Sequence, residues 1–246
     1  RFCTSARIST FGALFAVFIA WTWRYARQQQ FVVGLPGSGR PDASADNAVG
    51  MFVNTLAFPA SVNEHSSVAD LQQIRDRLFE VQEHADYPFS SVLSALSFGH
   101  RANRNPLFDV MFSYENAGSR VIRTGTFEGE TLTQYEGAGM FDISFDLIEA
   151  EGSILINCAY AESLFSDSTM NRRMDEYLAL LKLLVAGEAT TVADWTNAAA
   201  SIPAAQGSDD GLPRDARPAA RASTPDTVFT VWDRQVVEGA LDLALI

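Results

Sequence analysis

The sequence predicts an α/β (α+β) layered sandwich, a class in which helices cover a sheet. Of its 246 residues, 47% are hydrophobic, which is enough apolar side-chain material for a sizeable core. Helical and strand periodicities follow one another in the order helix, strands, helices, strands, helix, and no repeat of fixed period is present. The two cysteines, Cys3 and Cys158, are too few for a small disulfide-built domain.

The first helix is predicted over residues 9–27, where apolar residues recur at three- and four-residue spacing. The opposite face is also small or apolar, so this helix is either buried on two sides or placed in a membrane. The uncharged run 8–23 is shorter than the roughly 20 residues that a bilayer requires. Arginines flank the run on both sides. We therefore expect a buried core helix, and a membrane-anchored fragment is the less favoured alternative.

A short strand is predicted at 31–33, and the Gly- and Pro-rich segment 34–41 is expected to end it. A second strand-like run covers 49–58. Ser67 is the predicted N-cap of a helix with the apolar stripe Val68, Leu71, Ile74, Leu78 and Val81. A short further helix is predicted near 92–96. His84 lies near Asp86 and could form an oriented imidazole–carboxylate pair, but the favoured interpretation is that it ends the helix.

Alternating apolar residues predict a strand over 107–114 and a hairpin of two strands over 141–147 and 154–160. Asp142 and Asp146 share one strand face, which should meet solvent or a polar interface. The intervening segment 118–139 is expected to be a polar excursion with at most one short strand near Thr131. A last helix is predicted from Ser166 to the stop at Gly187. The final stretch, 228–236, has helical spacing.

The charge balance excludes one broad class of function. The chain carries 18 basic and 30 acidic residues, a formal charge of −12, whereas a nucleic-acid binder needs clustered cations. Phosphate-binding Gly-rich loops, zinc-binding His-Glu helix pairs and Cys-x-x-Cys pairs do not occur. We therefore assign no metal site and no catalytic residue. The distant cysteines fit a reducing compartment, so the expected location is the cytoplasm.

Four unusual segments come in a fixed order: VVGLPGSGR at 32–40, VGMFVNTL at 49–56, HADYPF at 84–89 and NRNPLF at 103–108. Together they resemble the C-terminal half of the condensation domain of nonribosomal peptide synthetases, and the resemblance covers residues 7–186. Ala85, Ser90 and Pro59 stand where the family has Gln, Glu and Arg. The catalytic His-His-x-x-x-Asp-Gly motif belongs to the family's N-terminal half and is absent from this sequence, so we expect a piece of a longer polypeptide.

The tail adds a second resemblance. Residues 227–246 are similar to the opening of an adenylation domain, and residues 188–225 have the Ala-, Pro- and Ser-rich composition of a linker. The expected organisation is thus a C-terminal condensation lobe over 1–187, an interdomain linker over 188–225 and the truncated start of an adenylation domain over 226–246.

The resemblance implies one lobe of a chloramphenicol-acetyltransferase-like fold and formation of a peptide bond between carrier-bound acyl and aminoacyl thioesters. It implies no directly bound cofactor, because carrier protein domains present 4'-phosphopantetheine. The implied partners are upstream and downstream peptidyl carrier domains, the N-terminal condensation lobe and an adenylation domain in cis, with no nucleic acid or membrane. This chain alone is expected to be inactive. The alternative is a condensation-like domain that epimerises or recruits partners without catalysis.

Three residues are predicted to support the substrate tunnel or the structure around it. Arg40 ends the Gly-Pro loop, where its guanidinium could pair with a carboxylate of the missing lobe or remain at the surface. The hypothesised partner is the Asp of the catalytic motif. Asn54 and Thr55 interrupt an apolar strand, and a buried amide needs hydrogen-bond partners. Asn54 should therefore hold either substrate or backbone.

Overall fold

A six-stranded mixed sheet and the helices packed against it form the core of the computed structural model. The structure describes residues 3–4, 8–40, 48–67, 70–96, 105–118, 121–124, 127–130, 140–150, 152–187, 191–194, 197 and 229–236. The helices are α1 (Thr10–Ala26), α2 (Leu71–Glu83), α3 (Phe89–Ala95) and α4 (Asp167–Ala186). The strands are β1 (Gln30–Gly37), β2 (Asn54–Ser61), β3 (Val110–Gly118), β4 (Val121–Thr124), β5 (Phe127–Glu130), β6 (Ile143–Ala150), β7 (Ser153–Ala161) and β8 (Phe229–Val236).

The strands of the large sheet lie in the order β2-β1-β3-β6-β7-β8. The inner strands β1, β3 and β6 run parallel to one another, while the β1–β2, β6–β7 and β7–β8 pairs are antiparallel. Strands β4 and β5 form a separate two-stranded sheet. Helices and a mixed sheet in layers confirm the predicted α/β sandwich.

Helix α1 is enclosed by the rest of the fold. Ser9 caps its first turn by accepting a hydrogen bond from the Gly12 amide, and every residue from 12 to 23 is buried. Its aromatic side chains pack on the sheet: the Phe15 ring meets Phe58 edge-on at 4.9 Å, and Phe18 lies 4.9 Å from Phe145. The predicted core helix is confirmed. No helix within the described ranges is long and apolar enough to cross a membrane.

Helix α4 closes the other side of α1. Ser166 caps its N-terminus and Gly187, in the left-handed conformation, ends it, both as predicted. The indole of Trp21 donates to the Arg173 carbonyl at 2.9 Å, and the Tyr177 hydroxyl donates to the Leu14 carbonyl at 3.1 Å. These side-chain bonds to backbone fix the register of two helices that are distant in sequence.

A buried carboxylate joins the same two helices near the end of α1. Glu176 is 3% exposed, and its oxygens lie 3.3 Å from the Arg24 Nε and 3.2 Å from an Arg172 guanidinium nitrogen. The Tyr25 hydroxyl donates a further hydrogen bond to Glu176. The charge of Glu176 is therefore compensated by two cations inside the fold, as a buried carboxylate requires.

Both strands of the first hairpin differ from prediction. Strand β1 continues through Gly34 and Pro36 to Gly37, because all eight of its residues pair with β2. Its other neighbour, β3, meets it in register at Gly34 alone, so the missing amide hydrogen of Pro36 falls on an open side of the strand. Strand β2 begins at Asn54 rather than at 49, since β1 ends opposite Asn54 and offers no partner to earlier residues.

Two local predictions in the middle of the chain are wrong. Helix α2 begins at Leu71, with Asp70 as N-cap, whereas Ser67 lies before it and donates its amide hydrogen to the Asp70 carboxylate at 2.6 Å. The polar excursion contains the two strands β4 and β5 rather than one strand, and Thr131 lies outside the described residues. His84 ends α2, as favoured from the sequence.

The helix predicted over 228–236 is also wrong. Residues 229–236 form β8, which pairs antiparallel with β7 from Ile154↔Val236 to Ala161↔Phe229. The edge of β7 offers backbone hydrogen-bond partners to this segment, and this pairing decides between the helical and strand periodicities that so short a sequence allows. Most of the predicted linker lies outside the described residues. Its described part packs on the domain, where Val192 is buried and donates its amide hydrogen to the Ser66 carbonyl.

Candidate functional site

The side chain of Asn54 ties the start of β2 to the turn between α2 and α3. Its amide nitrogen donates to the carbonyls of Ala85 and Tyr87, each at 2.8 Å, and its oxygen accepts from the Phe89 amide at 3.3 Å. All three partners are backbone groups of the HADYPF segment. Asn54 therefore holds backbone, one of the two arrangements that the sequence left open.

Arg40 holds the loop that leads from β1 to β2. A guanidinium nitrogen donates to the Ala48 carbonyl at 3.2 Å, and the guanidinium carbon lies 4.5 Å from the centre of the Phe52 ring. Gly39 lies beside them with a φ of +60°, and a Cβ there would stand 1.6 Å from the Phe52 carbonyl oxygen. The backbone of 39–40 and that of 48–52 thus approach so closely that position 39 requires glycine.

Thr55 occupies the second position of β2, opposite Pro36. Strand alternation places it on the face away from Leu56 and Phe58, which belong to the core. Arg40, Asn54 and Thr55 therefore lie at the same end of the β1–β2 hairpin.

The sheet face away from α1 carries a row of polar side chains at its centre. Ser113 of β3 donates a hydrogen bond to Asp146 of β6, and Asn157 of β7 stands next to Asp146 in register. Asn157 is 2% exposed, and its amide nitrogen has no hydrogen-bond partner among the described residues. The sequence flagged Asp146 but missed Ser113 and Asn157. Ser113 could have been found as the one polar residue between the aromatic residues Phe112 and Tyr114.

Three aromatic rings close one end of this face. Phe108 lies 5.7 Å from Phe89 and 5.3 Å from Phe141, measured between ring centres. The Phe108 ring also lies directly over Gly34, where a Cβ would come within 2.2 Å of it. Phe89 of the 84–89 segment and Phe108 of the 103–108 segment thus meet beside β1.

Burial dominates the electrostatics of the described side chains. Desolvation raises the pKa of the Cys158 thiol and of the Tyr177 hydroxyl well above their ordinary values. The pKa values of Tyr25 and Tyr114 are raised by burial and by their hydrogen bonds to Glu176 and Glu149. No group of three or more His, Cys, Asp or Glu side chains that could hold a metal occurs in the described part of the chain.

Comparison with known proteins decides the family. The family model described as "Condensation domain" matches residues 1–199, about four fifths of the chain. The chain belongs to the condensation domain family. Gramicidin S synthase 2 of Brevibacillus brevis is 34% identical over 191 residues, which cover 75% of this chain and 4% of that protein. Surfactin synthase subunit 1 of Bacillus subtilis (strain 168) is 31% identical over 160 residues, covering 65% of this chain and 4% of that protein. The chain spans a small fraction of these relatives.

Solved condensation-type structures share the fold. A four-domain nonribosomal peptide synthetase in its holo form, bound to AMP and glycine, superposes with a TM-score of 0.70 at 22% identity, covering 78% of this chain and 16% of that one. The condensation domain from the monacolin K polyketide synthase gives 0.67 at 17% identity, and the X-domain from teicoplanin biosynthesis gives 0.68 at 17%. Each of these two matches covers 78% of this chain, and they cover 44% and 45% of the other chains. The chain has the chloramphenicol-acetyltransferase-like layered architecture of condensation domains.

Proposed function

We propose that this chain is the C-terminal half of a nonribosomal peptide synthetase condensation domain, which joins two carrier-bound substrates through an amide bond. The observation that carries the proposal is the family match over residues 1–199, combined with coverage of 44–45% of two condensation-type domains. Peptide synthases are also among the relatives of highest similarity. The family's catalytic His motif lies in the other half, so in this proposal the chain supplies one wall of the reaction channel.

The reaction in this proposal joins two thioesters. The amine of an aminoacyl thioester on the downstream carrier attacks the acyl carbonyl carbon of the upstream thioester. A C–N bond forms, the C–S bond breaks, the amine proton leaves, and the thiol of the upstream phosphopantetheine arm is released. Phosphopantetheine reaches the channel on upstream and downstream carrier domains and is not held by a site on this chain. In this organisation an adenylation domain in cis begins at 226, after the linker 188–225, and its first strand, β8, pairs with the edge strand β7 of the condensation lobe.

The predicted site residues take defined parts in the proposal. Arg40 pairs with the Asp of the catalytic motif across the two halves, and its contacts with Ala48 and Phe52 fix the plane of the guanidinium that would do so. Asn54 shapes the channel wall by holding the 84–89 turn, and Thr55 lies on the strand beside it. A bidentate Arg–carboxylate pair has the geometry needed to align two lobes.

The test is a condensation assay on the intact parent protein. Its upstream carrier is loaded with a donor acyl group and its downstream carrier with an amino acid, and mass spectrometry follows the thioester on the downstream carrier. We expect the condensed product on that carrier, and a large loss of it in Arg40→Ala with intact folding. An aminoacyl thioester of unchanged mass would instead support the recruiting alternative, and chiral chromatography of the amino acid released by hydrolysis would identify the epimerising alternative by its inverted configuration.

A further inference from the structure

One edge of the condensation sheet is occupied by a strand that lies outside the family match. Among the described strands, β7 would end the sheet on this side if β8 were not paired with it. The condensation family model ends at residue 199, whereas β8 begins at Phe229. The edge of β7 is therefore a surface of the condensation lobe, and β8 is its occupant. We call the two paired strands the β7–β8 ladder.

The two edges of β7 use alternate residues for hydrogen bonding. The Ala161 amide donates to the carbonyl of Asp142, which directly precedes β6, at 3.0 Å, so the backbone of Ala161 faces β6. Successive residues of an antiparallel strand turn their backbone groups to opposite neighbours. The residues whose backbone faces β8 are therefore Ile154, Ile156, Cys158 and Tyr160. Without β8, these groups would lie at an open sheet edge, which readily pairs with other chains.

The linker region is attached to the lobe at both ends. Near its start, the buried Val192 donates its amide hydrogen to the Ser66 carbonyl at 2.8 Å, and the chain returns to the lobe at Phe229. A flexible chain as long as 195–228 would typically hold its ends roughly 30 Å apart and would reach about 110 Å when extended. Chain length alone therefore does not determine where a following domain lies, whereas paired strands in one register do.

We propose that the β7–β8 ladder fixes the position of the adenylation domain on the condensation lobe. This inference rests on the proposed function, in which an adenylation domain begins at 226. The partner that the β7 edge fits is an extended segment that runs antiparallel to it, and residues 229–236 of the same chain supply it. A strand attached in cis has a high effective concentration at this edge, so it excludes the strands of other chains.

Proline substitutions distinguish the two sides of β8. Arg234 lies opposite Ile156, so its amide hydrogen points to β7, whereas the amide hydrogen of Asp233 points away from β7. Arg234→Pro should break the ladder because proline has no amide hydrogen to donate. Asp233→Pro is the matched control, since an edge strand tolerates proline where the amide would face away from its neighbour.

Amide hydrogen exchange of this chain, resolved to single residues, measures the effect. Exchange at Ile156 and Cys158 should be at least about tenfold faster in Arg234→Pro than in wild type, because their amides then lie at an open edge. Asp233→Pro should leave both rates unchanged. Ala159 faces β6 and is the internal reference, which should keep its protection in both variants.

Three results of this experiment would overturn the proposal. Equal exchange at Ile156 and Cys158 in both proline variants would mean that β8 does not protect the edge. A loss of protection at Ala159 too, both in Arg234→Pro and in a second variant of the ladder, Trp232→Pro, would make β8 an integral part of the lobe's own fold. Protection that increases with protein concentration would mean that a second copy of the chain supplies the strand.

The position of the adenylation domain is measured in the intact parent protein. Energy transfer between a dye at the exposed position Glu80 of α2 and a dye on the adenylation domain reports the distance between them. Wild type and Asp233→Pro should give one narrow distribution of distances. Arg234→Pro should give a distribution at least about twice as wide, because the linker alone then limits the separation.

The same measurement separates this inference from the proposed reaction. One distance distribution shared by all three proteins would overturn the role of the ladder, even in a parent protein that forms the amide product. A wider distribution in Arg234→Pro, in a parent protein that forms no amide product, would leave this role standing and overturn the proposed condensation activity.

Discussion

Asn54 and Tyr87 are joined by a hydrogen bond of 2.8 Å from a side-chain amide to a backbone carbonyl, across 33 residues of sequence. The same nitrogen reaches the Ala85 carbonyl at 2.8 Å, and the Asn54 oxygen accepts from Phe89. One side chain therefore determines where the α2–α3 turn lies relative to β2. This role depends on the amide having donors and an acceptor at opposite ends, which no other side chain of similar size except Gln provides.

Replacing Asn54 by Asp should destabilise the chain by about 2–3 kcal/mol, because a carboxylate would face two carbonyl oxygens without a hydrogen to offer them. Urea denaturation followed by circular dichroism measures the free energy of unfolding. Asn63→Asp is the matched control: Asn63 is exposed, and its oxygen accepts from the His65 amide, a bond that Asp retains. Equal stability of the two variants would show that the Asn54 hydrogen bonds to the α2–α3 turn do not stabilise the fold.

Removal of the buried carboxylate at 176 should lower stability by about 3 kcal/mol in Glu176→Ala, since Arg24 and the Tyr25 hydroxyl lose a common partner. Glu80→Ala removes an exposed carboxylate on α2 and should shift the free energy of unfolding by less than about 0.5 kcal/mol. Urea curves of both variants provide the comparison. If Glu176→Ala lowers the free energy of unfolding no more than the control does, the contacts of Glu176 with Arg24, Arg172 and Tyr25 contribute little to stability.

Glycine at 39 should be far less replaceable than glycine at 152. Both have positive φ, +60° and +77°, so alanine at either position adds about 1–2 kcal/mol of backbone strain. At 152 a Cβ meets nothing within 4 Å, whereas at 39 it runs into the Phe52 carbonyl. We expect Gly39→Ala to be the more destabilising by at least about 1 kcal/mol. Thermal unfolding of the two variants measures this difference. An equal loss would mean that the backbone at 39 does not lie against the Phe52 carbonyl.

Stability should fall as the pH rises above about 10. An unfolded tyrosine loses its proton there, whereas burial keeps the pKa of Tyr177 higher in the folded state, so folding then requires proton uptake. Each such group steepens the decline by up to about 1.4 kcal/mol per pH unit. Tyr177→Phe should make the slope shallower by one group. Urea curves between pH 9 and about 11.5 give the slopes of wild type and variant, and identical slopes would contradict the assignment to Tyr177.

The sequence predicted those features that depend on a single segment. Helix α1 was found because its apolar residues surround it completely, and α4 because Ser166 and Gly187 are standard caps. Asn54 stood out as an amide in an apolar strand. Its partners at 85–89 could not be predicted, because they are brought to it by tertiary packing of α2.

Errors arose where a distant strand decides local structure. Pro36 and two glycines are poor strand formers, yet pairing with β2 keeps them in β1. Residues 228–236 have a spacing that fits a helix, but 229–236 pair with the edge of β7 and form β8. The polar row at Ser113, Asp146 and Asn157 depends on the register of three strands, and alternation within each strand does not specify that register.

The enclosure of α1 has a consequence for how the chain is made. The Tyr177 hydroxyl that binds the Leu14 carbonyl is encoded 163 residues later, so α1 leaves the ribosome long before its cover exists. At roughly 5–20 residues per second, that interval is about 8–33 seconds. Throughout it, a helix bearing Phe15, Phe18 and Trp21 has nothing of α4 to pack against. Nascent chains of this protein should therefore depend on chaperones that shield aromatic helices during translation.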